Sequence, residues 1–119
     1  MQYMLLIYED ETMWQTLSQQ EADALLEEYG PYTTDMRERG ELVYAAPLEE
    51  SPTAKTVRVR NGEHVVTDGP FAETKEQLGG FYIVDVETFD EALAWAARVP
   101  TARYGTVEVR PVRSMEPPQ

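Results

Sequence analysis

The chain has 119 residues, 42% of them hydrophobic and 10% aromatic, and 22 acidic against 10 basic side chains give it a formal net charge of -12. That length suits one domain around one core, the apolar content argues against disorder, and the charge disfavours both nucleic acid and an anionic membrane surface, which need a basic face. With no cysteine and a single histidine, His64, disulfides, thiolate chemistry and a multi-histidine metal site within one chain are excluded, so no metal or cofactor is expected and a hard-cation site would need carboxylates alone.

The chain opens on Met1-Gln-Tyr-Met-Leu-Leu-Ile-Tyr8, which lacks the basic region and cleavage pattern of a signal peptide. A cytoplasmic location is the expectation, and the apolar run from Met4 to Tyr8 is far too short to span a bilayer. Gln2 to Tyr8 is apolar at both odd and even positions, the pattern of a strand buried on two faces. Glu9-Asp10-Glu11 ends it, and Met13, Trp14 and Leu17 are expected to cover one end of the core. Ser18-Gln-Gln-Glu21 has the form of a capping box. Behind it Ala22, Leu25, Leu26, Tyr29, Tyr32 and Met36 recur at helical steps as far as Gly40. Gly30-Pro31 interrupts the stripe without shifting its phase, which predicts one long kinked helix.

Leu42 to Leu48 reads as a second strand. Ala54 to Arg60 and Glu63 to Thr67 flank Asn61-Gly62, a hairpin signal because both turn residues tolerate positive φ. Val57 and Val59 alternate with Thr56, Arg58 and Arg60, so one hairpin face is expected to be wet. Phe81 to Val86 is a strand, Thr88-Phe-Asp-Glu91 a second capping box, and a helix runs from there to Pro100. Thr106 to Val112 is the last strand. One domain is expected over residues 1–113, with 114–119 a frayed tail.

Without the hairpin, the order is strand, helix, strand, strand, helix, strand. This is the α+β, ferredoxin-like split βαβ pattern, an antiparallel sheet with two helices on one face and an inserted β-hairpin. Two helices cover one face only, and the first strand is apolar on both. A second copy of the chain is the simplest cover, so a homodimer is expected.

Between the hairpin and the third sheet strand lies the segment with the densest punctuation and charge, Thr67-Asp-Gly-Pro-Phe-Ala-Glu-Thr-Lys-Glu-Gln-Leu-Gly-Gly80. Extended to Val66 and Val86, it resembles the signature of the YCII-related family in its DGPF-domain branch. Met4-Leu-Leu-Ile-Tyr8, Glu91-Ala-Leu-Ala-Trp-Ala-Ala97 and Val107-Glu-Val-Arg-Pro111 carry the resemblance over nearly the whole chain. The resemblance implies a dimeric α/β barrel in which two ferredoxin-like sheets face each other and enclose a pocket. It also implies proximity to extracytoplasmic-function sigma factors. Family members commonly carry glycines where this chain has Ala45-Ala46-Pro47, which implies a narrower pocket edge. The histidine and aspartate pair of the family's other branch has no counterpart here, because the region of the first helix has no histidine.

Asp68 has two readings. As scaffold it accepts from backbone N–H groups while Gly69 and Pro70 fix a bend; as site it is a general acid or base at the barrel mouth. Lys75 is a solvated ion-pair partner of Glu73 or Glu76, or a local anchor for an anionic group. His64, on a hairpin arm, is a surface histidine or a general base. Gly79-Gly80 reads as a bulge or a close backbone approach, since no helix start follows and no G-x-G-x-x-G is present. Tyr8, Tyr44 and Tyr82 are core or interface aromatics whose hydroxyls would orient a ligand if they face the barrel. Three functions follow as expectations: a small-molecule binding protein with weak acid–base chemistry, using Asp68, Lys75 and the tyrosines; an enzyme with Asp68 as proton carrier and His64 or Tyr8 as partner; or an interaction protein acting with a sigma factor.

Overall fold

The structure, a computed structural model, describes residues 1–115. From Glu116 onward the expected frayed tail lies outside the described residues. Strand β1 (Gln2–Glu9) occupies the interior of a four-stranded sheet. Its odd positions Tyr3, Leu5 and Ile7 are buried, while Met4, Leu6 and Tyr8 on the other face are half-buried. This follows from the period of two, which sends successive side chains to opposite faces.

Ser18 starts helix α1 (Gln19–Glu27) with both bonds of the capping box, each 3.1 Å. Helix α2 (Tyr29–Glu38) follows after Glu28, so two helical segments stand where one kinked helix is expected. Pro31 has no N–H to offer the carbonyl of Glu27, and the ladder is interrupted there. Glu28 itself keeps helical dihedrals (φ -63, ψ -24), which is why the apolar stripe continues in phase. Gly40, at φ 71, closes the helix in the left-handed conformation.

Strand β2 (Leu42–Pro47) leads to a hairpin of β3 (Lys55–Arg60) and β4 (Glu63–Asp68), whose turn residues Asn61 and Gly62 have φ of 52 and 77. Strand β5 (Gln77–Asp85) is longer at its start than expected, taking in Gly79-Gly80. Thr88 caps helix α3 (Phe89–Arg98) by accepting from the Glu91 N–H. The expected reciprocal bond is displaced by one residue, because Glu91 accepts from the N–H of Glu87. Pro100 then opens a short 3-10 turn to Arg103, and β6 (Thr106–Pro111) completes the sheet.

The sheet order is β2-β5-β1-β6 with every neighbour antiparallel, and β3-β4 forms a separate two-stranded sheet. The domain is therefore an α+β, ferredoxin-like split βαβ with an inserted hairpin. Its core joins Tyr3, Leu5, Tyr82 and Val84 of the sheet to Met36 of α2 and Trp95 of α3. The Tyr32 ring meets the Tyr82 and Trp95 rings edge-on at 5.3 and 5.6 Å, and its hydroxyl donates to the Trp95 carbonyl at 2.9 Å. Burial raises the Tyr32 pKa. Outside this layer Arg98 lies 4.6 Å over the Trp95 ring and pairs with Asp35 at 2.8 Å, which holds the Asp35 carboxyl below its usual range.

The opposite face of the sheet carries Met4, Leu6, Phe81, Ile83 and Tyr44, as the register dictates. Among the described residues no helix packs on it, and Tyr44 is 58% exposed.

Candidate functional site

One end of the helix-covered face does not close. Beyond Ile7 and Tyr82 the sheet and helices diverge around a cavity of about 610 Å³, bounded by Leu26 and Tyr29 from the helices and Trp14 from the 3-10 turn Glu11–Thr16. The expected cover of the core end is thus in part a cavity wall. The far wall is the end of β2, where Ala45, Ala46 and Pro47 stand at the edge.

Gly79-Gly80 shapes this space. Ile7 pairs with Gly80 and Tyr8 with Leu78, so Gly79 is the extra residue of a β-bulge. A Cβ on Gly79 would sit 3.1 Å from Oε1 of Glu9, and one on Gly80 would sit 3.1 Å from the Ala46 carbonyl oxygen. The first glycine makes room for a carboxylate and the second lets two strands approach. Gly79-Gly80 is thereby both a bulge and a close backbone contact.

Glu9 is the group with the most chemistry in the cavity. It continues the phase of Tyr3, Leu5 and Ile7, so the strand aims its side chain under the helices. Its Oε2 is buried without a hydrogen-bond partner among the described residues. Burial raises the Glu9 pKa, donation from the Trp14 side chain pulls it down, and the neighbouring Glu11 adds to the rise. An acid held this way is matched to proton exchange nearer neutrality than an exposed glutamate. Glu11, by contrast, is committed to structure: its two oxygens accept from the Ser51 N–H and hydroxyl at 2.6 Å each, and its own N–H donates to Gln77 at 3.0 Å.

Two pairs of hydroxyls face the same space. Tyr29 and Thr101 share a hydrogen bond of 2.5 Å, as do Thr33 and Tyr82. Tyr104 extends the first pair at 3.4 Å. Burial pushes the Tyr29 phenol up to about 12 and raises Tyr82 and Tyr104, so all three stay neutral donors and acceptors. The lining includes the four carboxylates Glu9, Glu11, Glu49 and Glu50 and neither lysine, arginine nor histidine.

Of the residues singled out from the sequence, Tyr82 lines this cavity, because β5 turns it to the helices and away from the open face. Tyr8 and Tyr44 lie on the open face; the Tyr8 hydroxyl donates to Glu108 at 3.3 Å, and burial raises its pKa. Tyr44 leans on Phe81 with ring centroids 6.0 Å apart. Asp68 is exposed and pairs with Lys55 across the hairpin at 2.9 Å, while Gly69, at φ 89, makes the bend. His64 is exposed opposite Val59. Lys75 is exposed on the loop that returns beside Asp10, whose carboxyl pKa is lowered chiefly by Thr12 and slightly by this lysine. Glu9 escaped the sequence reading, which took it as the acid that ends a strand. Its phase with the buried odd positions was the available signal.

Fold and cavity together define a small ferredoxin-like domain with an acid-lined cleft between sheet and helix. The chain belongs to the YCII-related domain family, whose model matches residues 1–116. An uncharacterized protein of Rhizobium meliloti (strain 1021) is 39% identical over 119 residues, covering 98% of this chain and 96% of that protein. Among solved structures, 5-chloro-2-hydroxyhydroquinone dehydrochlorinase (TftG) from Burkholderia phenoliruptrix AC1100, in complex with 2,5-dihydroxybenzoquinone, superposes with a TM-score of 0.51. It does so at 13% identity, over 95% of this chain and 94% of its own, a likeness of fold. Among the described residues no helix is long and apolar enough to cross a membrane, and no cluster of three potential ligands could hold a metal ion.

Proposed function

We propose that the protein is a homodimer that binds a neutral, ring-bearing small molecule with a hydrogen-bonding oxygen in the cavity between sheet and helix. The observation that carries this is Glu9, whose buried oxygen lacks a donor among the described residues at the wall of a cavity of apolar and acidic side chains large enough for such a ligand. A hydroxyl from the ligand would supply that donor, and Tyr29 or Tyr82 would hold a second oxygen. Four carboxylates and no cation in the lining disfavour an anion. The dimer is supported by the open sheet face, where Met4, Leu6, Phe81 and Ile83 need a cover that a second sheet would provide. Tyr8 and Tyr44 would then line the barrel, with Asp68 and Lys75 at its rim.

An enzyme is the second reading, favoured by the raised pKa of Glu9. The carboxyl would give its proton to a ligand oxygen and recover one from the ligand or water. TftG, a dehydrochlorinase by name, lends this reading a precedent in fold. Asp68 with His64 is the alternative proton pair, and it requires a second chain to bring them to a cavity.

A thermal-shift screen of neutral phenols, quinones and lactones tests the binding. Stabilisation by about 2.7 kcal/mol is expected when a ligand reaches a hundred times its Kd. No shift across the panel, or a shift only with anions, would overturn the ligand class. Light scattering at micromolar concentration tests the dimer, and a monomer mass would overturn it.

A further inference from the structure

The β3-β4 hairpin is built for an interface that the single chain does not contain. Residues opposite each other in an antiparallel pair share a face, so Val57 with Val66 and Val59 with His64 form one side, and Lys55 with Asp68 ends it. Thr56 with Thr67, Arg58 with Val65 and Arg60 with Glu63 form the other, so three of the four paired-strand valines share the first side. The hairpin is therefore amphipathic, as its sequence predicts, yet its apolar face is as open as its polar one. Val57 is 60% exposed, Val59 55% and Val66 58%, and Phe71, just past the bend, is 80% exposed. A two-stranded hairpin with nothing on its apolar face is marginal in water. Six residues per strand give it a reach of about 20 Å. The chain accordingly has a radius of gyration of 16.8 Å, where about 13.5 Å suits a compact chain of this length.

We propose that the hairpin is an exchange arm: it docks, apolar face down, across the mouth of the cavity in a second copy of the chain, and so adds His64 to the ligand site there. Charge supports that occupant. Residues 55–68 carry three basic and two acidic side chains in a chain of net charge -12, so the arm is opposite in sign to the body; Lys55 lies on its docking face, and Arg58 and Arg60 on its outer one. The mouth it would cover matches in kind, with Leu26 59% and Leu48 45% exposed beside Glu49 and Glu50. Two such contacts related by a two-fold axis close on themselves and leave no arm free. The inference rests on the homodimer proposed above.

The test uses chain with p-benzoylphenylalanine in place of Val57, mixed with 15N-labelled unsubstituted chain and irradiated. The expected adduct joins the arm to a labelled peptide containing Leu26 or residues 46–50. Adducts confined to the arm's own chain, or to the other chain's arm, overturn the proposal. So does the lack of any cross-chain adduct in a protein whose light-scattering mass is a dimer, and that result leaves the homodimer standing. A monomer mass overturns both. The double variant Val57→Lys/Val66→Lys gives an independent measure, because both side chains are exposed in the protomer and its circular dichroism should not change. Its dimer Kd is expected to rise at least about tenfold, and an unchanged Kd would overturn the arm.

Discussion

The two sheets of this chain are made from the same kinds of residue and live in opposite environments. In the four-stranded sheet, Leu5 and Val84 are 0% exposed beneath the helices. In the two-stranded sheet, all six residues of β4 are exposed and valine faces water on both arms. Valine and its neighbours form strands in both, so strand-forming residues alone do not tell where a strand ends up. What differs is whether the chain supplies the covering layer. The first sheet has its own helices on one face and is complete there as a protomer. The second is complete only if something else arrives.

The largest effect expected on this contrast comes from the buried sheet. Leu5→Ala should cost about 3 kcal/mol, the sum of lost transfer energy and an unfilled cavity, out of a total of roughly 5–15. Val57→Ala, measured where the protein is monomeric, should change stability by no more than about 0.5 kcal/mol. Urea unfolding of both variants checks this, and comparable losses would place the hairpin in the core and end the comparison.

Gly105 tests the sheet's edge. A Cβ there would lie 2.3 Å from the Tyr8 carbonyl oxygen and 2.8 Å from Thr101 Cγ2. The first obstacle is backbone of β1 and cannot swing aside. Gly105→Ala should cost about 2 kcal/mol as an overpacking change and disturb the Tyr29–Thr101 hydrogen bond. Thermal unfolding reads the cost, and near-ultraviolet circular dichroism reads the tyrosines.

How much of this was legible beforehand divides along the same line. The Ser18 cap, the Asn61-Gly62 turn and the order of strands and helices along the chain were readable, because each depends on neighbours in sequence or on a period of two or 3.6, and the family was readable from the likeness of the segment from Val66 to Val86. The displaced bond at Glu91, the break at Glu28 and the cavity were not. They depend on how far apart elements stand in space. Glu9 shows the limit most clearly, since three adjacent acids, Glu9, Asp10 and Glu11, look alike in sequence. The structure gives one to a cavity, one to the start of a 3-10 turn and one to Ser51.

Glu9 also gives the pH test. Its folded pKa is raised above the unfolded value of about 4.3. The native state therefore holds the proton longer, and stability is greatest below the unfolded pKa and falls as pH rises through the folded one. Glu9→Gln should remove that fall and make the protein more stable at pH 7, because the amide carries no charge to desolvate. Unfolding curves between pH 4 and 8 check it. A variant with the same pH slope as the parent would mean that Glu9 is hydrated and unavailable as the cavity's acid.

The smallest stability effect is expected at Asp68, and for that reason it separates hinge from site. Its carboxylate pairs with Lys55 at 2.9 Å, with side chains 68% and 87% exposed for lysine and aspartate. Exposed pairs of this kind contribute about 0.5 kcal/mol or less. The bend itself is held by Gly69 at φ 89, by its N–H donating to the Ala54 carbonyl at 2.7 Å, and by its carbonyl accepting from the Thr56 hydroxyl at 2.8 Å. None of these bonds needs the Asp68 side chain, so Asp68→Asn should leave unfolding almost unchanged. If ligand binding or turnover then falls tenfold or more while stability holds, the aspartate works at a site, and an arm reaching a second chain is how it would get there. If neither changes, Gly69 and Pro70 alone account for the turn, and the proton chemistry rests with Glu9.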